Sequence, residues 1–367
     1  MPLISAVIIN YNSKHLLESC LDSLINQTHK QLKIIFIDNN SSDESCEFVK
    51  QNYPQAKTIC NQNNIGYANA ANQGIQLSKG EYIMLLNPDI KFKPDYIEKC
   101  LAKMEQDRKI AAIGGKIYKY DFQNNKKTNF IDTVGLFCYR NRRIIDDGQG
   151  LKDNGQFNQE KQVFGISGAC PIYRREALED CKIGNEYLDS NFFMYKEDID
   201  LSWRFNLFGW KNYYLPTAVA WHGRGTGVLK RFTHLEVLKN RSSLNKFQKY
   251  HSYKNQRLMQ LKNELLPSFI RDFFPIIQKE ILITGYIFLR EPHLIKALFQ
   301  MLSKIPSTLK KRSYIMKNKK TTWQQMHKWI SCKQSQYYQY NREQQLHKLG
   351  PQLRLPNLDQ LKKEDSA

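Results

Sequence analysis

The chain is poor in the patterns that mark metal, redox or membrane-spanning proteins. Its eight cysteines stand at 20, 46, 60, 100, 138, 170, 181 and 332, and no two form a Cys-x-x-Cys pair. That spacing excludes a zinc ribbon or finger. In a chain of 367 residues, such scattered cysteines read as reduced thiols and predict a cytosol-facing protein. Long apolar runs are also missing. The run from Ile281 to Leu289 is nine residues, closed by Glu280 and Arg290, whereas a bilayer span takes about 20. No transmembrane helix is expected. The start of the chain has no basic region followed by an apolar stretch, so no signal peptide is expected. Internal repeats are absent.

Charge is present, and it is uneven. The formal net charge is +20. Residues 1–230 hold 29 Lys+Arg against 26 Asp+Glu, a net of +3, and residues 231–367 hold 26 against 9, a net of +17. The basic character belongs to the C-terminal part. It implies an anionic partner there, a membrane surface or nucleic acid.

The first 115 residues alternate strand and helix signals. Apolar runs at 6–9, 32–37, 57–60, 82–86 and 110–113 predict buried strands. Leu16, Leu17, Cys20, Leu21, Leu24 and Ile25 recur at helical spacing, with Ser13 as a cap. Ser41-Ser42-Asp43 opens a further helix, 66–78 reads as another, and Pro94 suits a first helical turn. Near-continuous apolar strands alternating with helices indicate a parallel sheet covered on both faces. In such sheets ligands bind beyond the carboxyl ends of the strands. Tyr11-Asn12, Asp38-Asn39 and Asn87–Asp89 all fall at that edge. Residues 116–161 read as loops and an irregular hairpin. Helices are expected at about 175–180 and 197–208, a short strand at 219–222, and a basic helical region from about 231. The chain therefore divides into a catalytic domain, 1–230, and a mainly helical extension, 231–367.

Two acidic clusters end apolar segments, 109 residues apart: Asn87-Pro88-Asp89 and Glu197-Asp198-Ile199-Asp200. A carboxylate where a buried strand ends is placed to hold a hard cation, which in turn holds phosphate. A second carboxylate, brought opposite by the fold, can take a proton from a hydroxyl. That is equipment for moving a sugar from a nucleotide to an acceptor. Asn-Pro-Asp is also a good turn, and acidic residues suit the start of a helix; Asp200 fits that simpler role.

The ordered set Val7–Asn12, Ile37–Asp43, Asn63–Ala68, Asn72–Gly74, Leu86–Asp89, Gly168–Cys170, Phe193–Leu201 and Trp221-His222 resembles the family 2 glycosyltransferases, most closely their bacterial rhamnosyltransferase-like branch. Residues 253–257 fit the branch more loosely. The resemblance implies an α/β GT-A-type fold, with a mostly parallel sheet flanked by helices and a basic helical extension at the C-terminus. It implies inverting transfer from a nucleotide-diphosphate sugar, with Mn or Mg. The family's Asp-x-Asp metal motif is present with Asn87 in place of the first Asp.

On this reading Asp89 and His222 are metal ligands and Asp198 is the catalytic base, with Glu197 positioning a sugar hydroxyl. Asp38 reads the base or ribose, beside Tyr11, Asn12, Asn39 and Asn87. Gly66 lets backbone approach the donor. The loop Gly223–Gly227 lacks a Rossmann or Walker spacing and reads as a lid or hinge. The branch implies dTDP-rhamnose as donor and a glycan or lipid-linked acceptor of surface polysaccharide or lipopolysaccharide synthesis. Apolar residues interleaved with cations between 269 and 320 suit a helix on an anionic membrane surface. The expected location is therefore cytoplasmic and peripheral on the inner face of the cell membrane, with no nucleic acid bound. A nucleotidyltransferase needs a Gly-rich basic loop after the first strand, where this chain has Asn10–Ser13. A non-catalytic anion-binding protein gripping nucleic acid with its tail is the other alternative.

Overall fold

A computed structural model describes residues 1–122, 124–223, 241 and 244–330. The expected glycine loop at 223–227 lies outside these residues beyond Gly223, as does the basic tail after 330.

The strands are β1 (Ile4–Asn10), β2 (Leu32–Asp38), β3 (Lys57–Cys60), β4 (Tyr82–Leu86), β5 (Ile90–Phe92), β6 (Ile110–Asp121), β7 (Lys126–Thr133), β8 (Leu136–Cys138), β9 (Ile144–Asp146), β10 (Lys161–Val163), β11 (Ile172–Arg174) and β12 (Lys211–His222). The helices are α1 (Lys14–Ile25), α2 (Ser45–Asn52), α3 (Tyr67–Leu77), α4 (Tyr96–Gln106), α5 (Arg175–Asp180), α6 (Glu197–Leu207), α7 (Lys246–Asn263), α8 (Leu266–Arg271), α9 (Phe273–Arg290), α10 (Ile295–Asn318) and α11 (Trp323–His327). The main sheet runs β10-β12-β6-β11-β4-β1-β2-β3, with β5 on β12 and β7 on β6. β1 pairs in parallel with both β2 and β4. β11 is antiparallel to both its neighbours, β4 and β6.

Strand alternation explains why both sheet faces are covered. Val7, Ile9, Ile35, Ile37, Ile83 and Leu85 enter one core, and Ala6, Ile8, Ile34, Phe36, Met84 and Leu86 the other. A run apolar at every position can only be satisfied by helices on both sides. The order 3-2-1-4 places the change of direction between β1 and β4, where a crevice opens beyond the strand ends.

Several local expectations are corrected. Ser13 makes no side-chain cap for α1; its hydroxyl donates to the Tyr11 carbonyl. The Lys14 N–H is met instead by Asp43 at 2.8 Å. Two short strands were not foreseen, β5 and β11, and β12 begins eight residues before 219. Cys46 of α2 and Cys60 of β3 are brought side by side, their Cα atoms 6.1 Å apart, a pairing their spacing did not suggest. The helix-to-strand turn joins cysteines 14 residues apart, which no Cys-x-x-Cys test detects. Cys20, Cys100, Cys138, Cys170 and Cys181 are buried thiols.

The C-terminal helices share the core of the catalytic sheet. Leu258 and Met259 of α7, Ile315 of α10 and Met326 of α11 lie in the same cluster as Val7 and Ile37. An Asn245–Gln248 capping box starts α7. Buried ions then fasten it. Lys262 Nζ pairs with Asp189 and, at 2.9 Å, with Asp200 of α6. Lys311 of α10 pairs with Asp189 and Glu186, both at 2.6 Å. The fully buried Arg142 guanidinium joins the β8–β9 loop to Glu264 and Asp272. Asp200 is thus more than a helix-start residue, because Asn263 also donates to it at 2.7 Å.

Burial pushes the Asp189 carboxyl up, but Lys262 and Lys311 override this and hold it well below the usual carboxylate range. A depressed folded pKa contributes stability that is present above the unfolded value and lost as pH falls through the folded one. We predict that Lys262→Met lowers unfolding free energy at pH 7 by about 3 kcal/mol, the scale of breaking a buried pair. It should also flatten the loss of wild-type stability below about pH 4. Urea unfolding across that range measures both.

Candidate active site

The end of β4 and the end of β12 meet because β5 folds back between them. Ile90 pairs with His222, and Gly223 N–H donates to the Asp89 carbonyl at 2.9 Å. His222 Nε2 therefore lies 3.2 Å from Asp89 Oδ1. Its other nitrogen, Nδ1, is 2.8 Å from Asp132 Oδ2 on β7. Sequence reasoning missed Asp132. It lies in the expected hairpin, with no strand-end or motif signal of its own. Burial lowers the His222 pKa, but Asp89 and Asp132 together push it up to about 10.

The donor set of Asp89 and His222 fits a divalent cation. Two ligand atoms each about 2.1 Å from one ion sit about 3 Å apart when they subtend a right angle. A carboxylate on the far nitrogen of a ligating imidazole orients the ring, and a cation bound at the near nitrogen would take the place of the proton there. Asp132 is that carboxylate. Among the described residues no larger cluster of His, Cys, Asp and Glu able to hold a metal occurs, so substrate oxygens and water would complete the shell.

The second acidic cluster begins α6. Asp198 is partly exposed. Its Oδ2 accepts the Gly168 N–H at 2.7 Å and its Oδ1 the Ile199 N–H at 2.8 Å. Burial and Asp146 push its carboxyl up, against those backbone donors. Glu197 is buried, and its Oε2 has no hydrogen-bond partner. Burial, then the neighbouring Asp198, push it up to about 8. The two carboxyls thus differ: Asp198 is held by N–H donors on both oxygens, whereas Glu197 keeps its proton at neutral pH.

One loop joins the two clusters. Gly168 bonds Asp198, and the next residue, Ala169, accepts the Asn87 N–H at 3.1 Å through its carbonyl. A side chain on Gly168 would come within 3.1 Å of the Asp198 Cβ.

The remaining predicted residues form the rim beyond β1 and β2. Asp38 is buried, and both its oxygens are engaged, by Asn10 Nδ2 and by the Ser41 N–H, each at 2.8 Å. Asn39 donates to Asn64 and accepts from the Ile65 N–H. Asn12 takes a positive φ of 50° and binds Ser41 and Ser42. Tyr11 is exposed on the same rim. Gly66, with φ 83°, would place a Cβ 2.6 Å from the Phe193 ring. The close approach it permits is to Phe193, in the loop leading to Glu197.

That loop is strained and externally held. Phe193, Tyr195 and Lys196 all have positive φ, a region costly to non-glycine residues. Asn255 of α7, fully buried, reaches three of its carbonyls, Phe192 at 2.9 Å and Met194 and Tyr195 at 2.8 Å. His251 stacks on Phe193 from the same helix.

These features have parallels in known proteins. The family model described as glycosyl transferase family 2 matches residues 5–182. An N-acetylglucosaminyl-diphospho-decaprenol L-rhamnosyltransferase of Mycobacterium tuberculosis is 26% identical over 240 residues, covering 60% of this chain and 76% of that protein. The structure of S. aureus TarS 1–349 in complex with UDP superposes with a TM-score of 0.52 at 12% identity, covering 94% of this chain and 92% of that one. GalNAc-T7, solved with UDP, GalNAc and Mn2+, superposes at 0.50 with 16% identity, over 73% of this chain and 53% of its own. These two likenesses bear on the fold, which is of the GT-A type.

We predict that Asn255→Ala lowers kcat by about 10²-fold, the cost of a misplacement on the order of 1 Å, while nucleotide affinity changes little. Steady-state kinetics beside calorimetric titration of the nucleotide separates the two. The sheet, the ordered loop motifs and the family match together identify residues 5–182 as a glycosyltransferase domain of family 2.

Proposed function

We propose that the chain is an inverting transferase that moves a rhamnosyl group from dTDP-rhamnose to a lipid-linked glycan at an anionic membrane surface. The observation that carries the transfer reading is the Gly168-Ala169 bridge. It sets a held carboxylate, Asp198, beside the strand-end turn of Asp89. The donor would lie over the crevice between β1 and β4, with Tyr11, Asn12, Asp38 and Asn39 about its nucleoside and Asn87 and Asp89 toward its diphosphate. Asp89 and His222 Nε2 would hold Mn or Mg, which when bound neutralises charge on the leaving diphosphate.

Asp198 takes the proton of the acceptor hydroxyl as that oxygen bonds to the anomeric carbon. The bond from that carbon to the diphosphate breaks on the opposite side, and the nucleoside diphosphate leaves with the electron pair. Glu197, keeping its proton, donates to a sugar oxygen and orients it. The rhamnosyl donor and polyprenyl acceptor rest on likeness to the mycobacterial relative and on the branch the motifs resemble.

The membrane reading rests on α9. Its outward face carries Phe273, Phe274, Ile281, Leu282, Phe288 and Leu289, with Phe274 and Leu289 more than 80% exposed. Its internal charges, Lys279 and Glu280, pair with each other on the other side. No helix of the described residues is long and apolar enough to cross a membrane, so this face suits shallow burial in the interface. The net +17 after residue 230 adds attraction of about 1 kcal/mol per cation near an anionic leaflet.

Asp198→Asn is expected to lower turnover by roughly 10²–10⁴-fold with nucleotide binding nearly intact. Unchanged turnover in a folded protein would place the base elsewhere. Asp89→Ala should abolish the metal-dependent part of dTDP binding; equal wild-type affinity with Mn and with chelator would refute the metal role. In vesicle co-sedimentation with anionic lipid, high salt should release the wild type only in part, because apolar burial is not screened. Phe274→Glu with Leu289→Glu should make release complete. If the double variant sediments like wild type, α9 is not the membrane face.

A further inference from the structure

A groove of about 460 Å³ lies among the C-terminal helices, away from the transfer site. Leu258 and Leu261 of α7 form its floor, Ile276 and Ile277 of α9 one wall, and Met301 and Ile305 of α10 the other. Its volume is that of a small-molecule site, and its lining is mostly apolar with a few polar groups at fixed places, the usual composition of such sites. Those polar groups are accounted for. Arg257 pairs with Glu280 and stacks 3.5 Å over the Tyr253 ring. Glu264 is taken by Arg142. Among the described residues Arg312 Nη1 donates to the carbonyls of Leu261 at 2.9 Å, Glu264 at 2.7 Å and Lys262 at 3.4 Å, with the charge of the Glu264 carboxylate acting on it. The cationic end of the groove thus keeps a guanidinium able to take an anion.

Two placements indicate the occupant. The groove shares α9 with the exposed apolar face, and Leu266, exposed at its rim, continues that face. A hydrocarbon chain leaving a bilayer would meet Leu266 at the rim and Ile276 and Ile277 within. α7 also joins the groove to the catalytic loop. Asn255 touches the loop carbonyls, while Leu258 and Leu261 of the same helix face the groove. They stand three and six residues further along α7, about 4.5 and 9 Å of helix rise, so a bound chain lies one to two turns from the carbonyls that lead into Glu197 and Asp198. A chain ending in phosphate at Arg312 and continuing into a sugar has a short way to go.

We infer that this groove binds the isoprenoid chain of a polyprenyl-phosphate-linked acceptor, with its phosphate on Arg312. The inference rests on the lipid-linked acceptor proposed above and adds where that lipid sits. It makes the C-terminal helices part of the acceptor site as well as a support for the catalytic loop.

The test uses the full chain and a diazirine-bearing polyprenyl monophosphate, with labelled residues mapped by mass spectrometry. Labels are expected on the groove segments of α7 and α10, and an excess of phosphatidylglycerol vesicles should leave most of them. Labels only on the outer face of α9, or full displacement by phosphatidylglycerol, would overturn the inference in favour of bulk lipid contact. Ile305→Trp, which fills the groove, should raise the KM for a long-chain acceptor about tenfold and leave that for a short, water-soluble acceptor unchanged. Equal effects on both acceptors would also overturn it. The wild-type label map does not depend on that variant folding. Groove labelling without transfer to any lipid-linked glycan would refute the acceptor reading and leave the groove as a lipid site. Transfer with labelling elsewhere would refute the groove alone.

Discussion

The attachment of α7 to the start of α6 is the constraint on which the site depends. The candidate acid–base pair sits at the first two positions of α6, behind a loop with three residues at positive φ. Nothing in that loop's own sequence favours such a path; it contains no glycine. It is held because Asn255 occupies three of its carbonyls while Lys262 and Asn263, two turns along the same helix, fix Asp200. Burying these ions is costly unless each is paired, and the pairs are distributed over α6, α7, α10 and the turn at Asp189. The network favours one arrangement of four segments, with the two catalytic candidates at its edge.

Electrostatics separate the two acidic clusters by function. At the end of β4 two carboxylates, Asp89 and Asp132, flank one imidazole, so that site is built to carry positive charge between anions. At the start of α6 two carboxyls lie side by side; the N–H groups of Gly168 and Ile199 hold both oxygens of Asp198, while Oε2 of Glu197 is buried without a partner among the described residues. Mutual repulsion and burial then leave the second protonated. The cation site and the general base proposed for this chain require opposite surroundings, and the two clusters differ in that way on opposite sides of the Gly168-Ala169 turn. Gly66 connects a third element, since its lack of a side chain lets Phe193 close on the donor rim.

Much of this was legible from residue order. Strands buried on both faces announce themselves as unbroken apolar runs, and the strand-end rule led to Tyr11-Asn12, Asp38-Asn39 and Asn87–Asp89 before any contact was known. The bond between Asp89 and His222 is different, because it depends on β5, three residues too short to show a period. Asp132 was illegible for a related reason, and Asn255 stood in the loosely matching stretch 253–257 with no sign of its role. Each acts on a residue far away in the chain, 90 positions for Asp132 and about 60 for Asn255, and a single polar residue on a strand or amphipathic helix gives no sign of its partner. The Cys46–Cys60 pair failed the spacing test because a helix and a strand, and no tight turn, bring it together. Asp38 shows the opposite limit. Its strand-end position suggested ligand contact, yet both its oxygens first fold the loop that would receive the ligand.

The basic extension then acquires a physical reason for being both apolar and charged. A helix packed on a catalytic domain needs one apolar face, and α7 and α10 spend theirs in the core beside Val7 and Ile37. α9 buries only Ile276 and Ile287 and leaves a second apolar face outside, which water alone would not select. Removing the extension would therefore uncover the core, so membrane contact and catalytic order cannot be separated by cutting the chain. Charge on the outer face of α9 alters the first and leaves the second, because none of its exposed side chains enters the ionic network around Asp189 and Asp200. The extension that fixes Asp200 through α7 thus bears, on α9, the surface proposed to receive an acceptor lipid.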